Sequence, residues 1–79
     1  MDKVMNNTRR KQLQEIQTEL RNIYERLDIL RDEEQAAYDN TPESLQESER
    51  GEKAQEAIDT MESVRDQILE SADEIDEII

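Results

Sequence analysis

The chain has no cysteine, no histidine, no tryptophan and no phenylalanine, and only one glycine and one proline. Without cysteine, a disulfide framework and a thiolate zinc site are both excluded. Without histidine, the commonest general base and the commonest metal ligand are missing. Serine and threonine are present, but no His, Cys or glycine-rich phosphate loop accompanies them, so no catalytic residue, cofactor or metal is expected. No run of about 18 apolar residues offers a membrane span, and no signal-peptide core is seen, which makes the cytoplasm the default compartment. Leu, Ile and Val total 16 of 79 residues, at the compositional border of disorder.

Charge is what the chain has in abundance. Twenty-two acidic and 10 basic residues give a net charge of -12, and 79 residues allow one small domain at most. The apolar positions show that this acidic chain folds. Leu13, Ile16, Leu20, Ile23, Leu27 and Leu30 alternate spacings of three and four, continuing through Glu34 and Ala37. That is the 3.5-residue repeat of a coiled-coil seam. Leu13, Leu20 and Leu27 take heptad position a; Ile16, Ile23 and Leu30 take d. In the second half Ala54, Met61, Ile68 and Ile75 form a, Ala57, Val64, Ser71 and Ile78 form d, and Ile58, Arg65, Ala72 and Ile79 form e. Three rows make a broader apolar face, as in a helix with more than one neighbour.

The link between the halves, Tyr38 to Glu43, holds the only proline. Thr41 suits an N-cap and Pro42 the first helical position. The reading is a single all-α domain over residues 1–79: helix one from about 7 to 38, a turn at 39–41, and helix two from about 42 to 78. Gly51 either weakens helix two or marks a bend after a short first segment. So short a turn predicts an antiparallel two-helix hairpin. Residues 1–31 carry a net +2 and residues 32–79 a net -14, which favours the same pairing. Reversal at residue 40 places residue i beside residue 80 − i. Arg9, Arg10 and Lys11 then face Glu70, Asp73 and Glu74, Arg21 faces Asp59, and Arg31 faces Glu49. Glu34 interrupts the a row, and a Glu34–Arg50 pair near the loop end is expected to fix register; the alternative leaves Glu34 in water at a splayed end.

One seam between two helices seldom supplies enough stability alone. Tyr24 and Tyr38 lie at e in helix one, on the flank where Ile58, Ala72 and Ile79 line helix two. This e-flank is expected to be a second interface, most simply a homodimer forming a four-helix bundle. A different protein could use the same face, or these residues are scattered surface apolars.

The back of helix two carries Glu49, Glu52, Glu56, Asp59, Ser63, Asp66, Glu70, Asp73 and Glu77 in one row, with Glu62 beside the serine. Solvated helix faces usually mix signs. Six adjacent like-sign pairs cost about 1–3 kcal/mol together. The row is either a solvated face that confers solubility, a docking surface for a basic protein such as a nucleic-acid-binding enzyme, or a weak divalent-cation site around Asp73, Glu74, Asp76 and Glu77. For docking, its spacing of about 5 Å along the helix is close to that of phosphates on a strand. Direct nucleic-acid binding is disfavoured by the net charge.

The segment Asn40-Thr41-Pro42-Glu43-Ser44-Leu45-Gln46-Glu47-Ser48-Glu49-Arg50 resembles a stretch recurring in short acidic helical proteins of Gram-positive bacteria, their phages and mobile elements. The resemblance extends over roughly residues 30–78. It implies a small helical hairpin, transfers no catalytic residue, and would place a phage-encoded chain in the host cytoplasm. Small acidic phage proteins include inhibitors of bacterial nucleases, so the resemblance favours an interaction module that mimics DNA. The contrasting expectation is a purely structural, self-associating bundle protein.

Overall fold

A computed structural model describes residues 6–79, and those residues form three helices and a closing turn. Helix α1 runs Asn7–Asp39, with neither glycine nor proline inside it. The Asn6 side chain caps it, accepting from the Arg9 N–H at 2.8 Å. Helix α2 is a single turn, Glu43–Gln46; helix α3 runs Glu49–Glu74 and ends in a 3₁₀ turn, Ile75–Glu77. The long helices α1 and α3 pack antiparallel. Val4 and the other residues before 6 lie outside the described range.

The second helix is therefore divided where one span from 42 to 78 was expected. Pro42, at φ -56° and ψ 144°, stands in the N-cap position of α2 and contributes no side-chain cap. Thr41 does not cap forward. Its hydroxyl donates back to the Ala37 carbonyl at 2.9 Å, closing α1. The cap of the long helix is Ser48, whose Oγ accepts from the Gly51 N–H at 3.3 Å and also bonds the Leu45 carbonyl. Gly51 is buried, and its missing side chain matters: a Cβ there would overlap the Gln46 carbonyl and lie 2.6 Å from the Leu45 carbonyl oxygen. So the backbone of α2 folds onto the first turn of α3, and Gly51 marks the bend. Gln46 ties this corner to α1 by donating to the Tyr38 carbonyl at 2.8 Å.

The corner changes the register. Asp28–Arg65, Arg31–Glu62 and Gln17–Asp76 each have residue numbers totalling 93, against the expected 80. Reversal is thus centred near residues 46–47, because α2 is spent on the turn. Arg21 meets Asp73 at 3.3 Å in place of Asp59, and Arg31 meets Glu62 at 3.0 Å in place of Glu49. By the same register Ile79 lies level with Gln14. The first six or seven residues of α1 therefore overhang the end of the second helix by about 10 Å. Arg9, Arg10 and Lys11 sit on this overhang and, among the described residues, pair with none of Glu70, Asp73 and Glu74.

The seam is also rotated. Rows a and e face inward on both helices, where rows a and d were expected. Ile58 and Ala72 are the buried apolar residues, at 1% and 0% exposure, with Gln17 beside them at 6%. Tyr24, Tyr38 and Ile79 are half-buried on the same rows, as are Leu13, Leu20, Leu27, Met61, Ile68 and Ile75. The e-flank expected to receive a second chain is occupied by the hairpin itself. Rotation follows from what row e carries: Gln17, Arg31 and Arg65 all need partners, and Ala72 and Gly51 allow close approach.

Candidate interaction surfaces

An antiparallel helix pair has two edges, and equivalent heptad positions of the two helices fall on the same edge. The first edge is built from rows b and e and is closed by polar bonds. Arg65 donates to Asp28 at 2.7 Å, and Arg31 bonds Glu62 through Nε at 3.2 Å. Gln17 donates to both the Ala72 carbonyl and Asp76, each at 2.8 Å. Each arginine also grips its neighbour, Asp66 for Arg65 and Asp32 for Arg31, both at 3.0 Å. Those carboxylates raise both guanidinium pKa values, Asp66 then Asp28 acting on Arg65 and Asp32 first acting on Arg31. Both arginines are accordingly fixed cations.

The opposite edge is row d of both helices, and it is open. Ile16, Ile23 and Leu30 are 45%, 44% and 55% exposed; Val64 and Ile78 are 40% and 51% exposed. Ala37, Ala57 and Ser71 complete the rows and are exposed too. The half-buried a rows adjoin them, so apolar side chains recur along the hairpin on this edge, with Ser71 and Glu34 as the polar members of the two rows. Single exposed apolar residues are ordinary, but a contiguous patch of several hundred Å² is characteristic of interaction sites. Row g borders this edge with Gln12, Glu19, Arg26 and Glu33 on α1, and Lys53, Thr60, Gln67 and Glu74 on α3. Three carboxylates against two cations leave that border at -1, in a chain whose net charge is -12.

The acidic row lies where expected, on the solvent side of α3. Glu49, Glu52, Glu56, Asp59, Asp66, Glu70, Asp73 and Glu77 are exposed, while Glu62 is half-buried and belongs to the polar edge. Lys53 pairs with Glu49 at 3.7 Å, Arg65 with Asp66 and Arg21 with Asp73. Glu52, Glu56, Asp59, Glu70 and Glu77 meet no cation among the described residues. Among the described residues no group of three or more carboxylates converges into a candidate metal cluster, Asp73, Glu74, Asp76 and Glu77 included.

Glu34 and Arg50 line one shallow cleft at the loop end, with Tyr38, Leu45, Gly51 and Ala54, but no ion pair joins them. The register is pinned elsewhere, by Gln17 and the Asp28–Arg65 pair. Gln17 was missed because a glutamine at e reads as surface. Its one signal is its place between Leu13 and Leu20 on the inward side. No helix among the described residues is long and apolar enough to cross a membrane. No protein-family model, curated protein or solved structure matches this chain.

Proposed function

We propose that this protein is a non-enzymatic protein–protein interaction module that works as a self-associated helical bundle, its open apolar edge being the contact. The observation that carries the reading is the exposure of a whole heptad row on both helices. A sequence that places Ile16, Ile23 and Leu30 seven residues apart on α1, and Val64 and Ile78 two heptads apart on the second helix, all exposed to water, lacks a partner for them. From Leu13 to Ala37 the edge is about 36 Å long, and two helices are about 20 Å wide. The resulting face of about 700 Å² is close to the roughly 800 Å² per partner of a standard stable interface. Two hairpins meeting there form a four-helix bundle. Light scattering tests it: the native chain is expected at twice the monomer mass, and Ile23→Asp with Leu30→Asp at monomer mass with helix content retained. A native chain that stays monomeric at high micromolar concentration refutes self-association.

A second reading concerns the acidic row, and the five carboxylates without a cation favour it. In this reading the bundle offers a basic protein, such as a nucleic-acid-binding enzyme, a rod of negative charge in the manner of a DNA mimic. The origin suggested by the resemblance, phage or mobile element, belongs with this reading. Asp66 and Asp73 already serve in-chain pairs, so the informative reversal is Glu52, Glu56 and Glu70 to lysine. Binding to a basic nucleic-acid-binding protein is expected to disappear in that variant, and in the native chain to weaken steeply with salt. Binding insensitive to both would leave the row a solvated face of a structural bundle protein.

A further inference from the structure

We propose that the second copy lies head to tail on the first, with the two-fold axis perpendicular to the hairpin, so that each basic overhang meets the acidic turn of the other copy. This rests on the self-association reading and specifies its geometry. Two independent features of the open edge carry it.

The first is side-chain volume. Within one hairpin the register sets Ile16 level with Ile78, Ile23 with Ser71, Leu30 with Val64, and Ala37 with Ala57. The edge is therefore bulky at the overhang end and hollow at the loop end. A head-to-tail copy, its axis at the middle of row d, brings residue i of α1 level with residue 53 − i of the other α1 and residue 40 + i of the other α3. Such an axis stacks each helix on its own copy, so on α1 Ile16 faces Ala37 and Ile23 faces Leu30, while on α3 Ala57 faces Ile78 and Val64 faces Ser71. Only Ile23 and Leu30 set two large side chains against each other; every other facing pair sets a large side chain against a small one, the alternation that fills a core without voids. A head-to-head copy instead sets Ile16 against Ile78 at one end and Ala37 against Ala57 at the other, a clash and a void.

The second is charge. The overhang carries Arg9, Arg10 and Lys11, all without a carboxylate of α3 beside them. The loop end carries Asp39, Glu43, Glu47, Glu49 and Glu52 against Arg50 and Lys53. Head to tail, Arg9 and Arg10 fall level with Glu49 and Arg50 of the other copy, within a turn of Glu47 and Glu52. Head to head, six cations of the two overhangs are brought together at one end, with nothing acidic level with them among the described residues of α3 and the closing turn. Opposite charges facing each other set orientation even where each pair adds little affinity.

The natural absence of cysteine makes the test clean. Ile16→Cys and Ala37→Cys chains, mixed and mildly oxidised, are expected to give the disulfide-linked heterodimer. Ile16→Cys alone is expected to stay unlinked, because its two copies lie about 30 Å apart along the bundle. Circular dichroism confirms that both variants are folded. Linking of Ile16→Cys with itself, or with Ile78→Cys in place of Ala37→Cys, overturns the orientation while leaving the dimer standing. A native chain that is monomeric overturns the self-association reading itself. As a charge readout, Arg9→Glu, Arg10→Glu and Lys11→Glu together are expected to raise the dimer dissociation constant at least tenfold at low salt. Compensating Glu43→Lys, Glu47→Lys and Glu49→Lys in the same chain is expected to restore it. No change in either variant counts against the overhang contact.

Discussion

Along one edge of the hairpin Arg65 reaches Asp28 at 2.7 Å and Gln17 bridges Ala72 and Asp76. Along the other, Ile23, Leu30, Val64 and Ile78 stand in water. Both edges flank the same seam and derive from the same heptads, one residue apart in phase. The polar edge spends directional bonds, which have one good geometry, and so selects the register of its own chain. The apolar edge spends only area, which is non-directional and available to another molecule. A small hairpin thus uses its specific contacts internally and leaves its generic ones outward.

Substitutions can break this comparison, and the largest effect is expected beneath both edges. Ile58→Ala removes the most buried large side chain and is expected to cost about 2–5 kcal/mol in urea unfolding. Gly51→Ala forces a methyl group into the Gln46 carbonyl, with an expected loss of about 1–3 kcal/mol as the α2–α3 corner shifts. On the polar edge, Gln17→Ala leaves the Ala72 carbonyl and Asp76 without their buried donor, at about 1–3 kcal/mol. All three are expected to lower the melting temperature while preserving its rise with protein concentration, the signature of association. On the apolar edge the pattern is expected to invert. Leu30→Gln changes folding of the isolated hairpin by about 0.5 kcal/mol or less, yet abolishes the concentration dependence. Calorimetry at several concentrations distinguishes the two classes; a concentration-dependent melting temperature that survives Leu30→Gln would place the contact elsewhere.

The helices themselves were legible. Uninterrupted three-four spacing from Leu13 to Ala37 placed α1 to within a residue of its observed end at Asp39. The acidic row was legible for the same reason, because helical periodicity alone puts Glu52, Glu56, Asp59 and Glu70 on one face. The corner was not. Pro42 and Thr41 signal a helix start as well as Ser48 does, and the choice between them depends on how the α2 backbone packs on Gly51. Nor was the seam legible. Rows d and e both flank a, and hydrophobicity favours d in helix one, where Ile16, Ile23 and Leu30 compete with Gln17, Tyr24 and Arg31. The polar members of row e win because each finds a partner across the seam, a fact that exists only once two helices are aligned.

Composition and spacing by themselves determined that this acidic, cysteine-free chain is helical, that it has two long helices, and where its negative charge lies. Tertiary structure alone decided how the helices slide and which row is left outside. The physical reason is degeneracy. A heptad pattern repeats every seven residues, so sliding one helix by about two heptads, close to the observed displacement of 13 residues, keeps apolar rows in contact. Burial cannot distinguish such registers. The Ser48–Gly51 corner, the Gln17 bridge and the Asp28–Arg65 pair can, because each fits at one offset only.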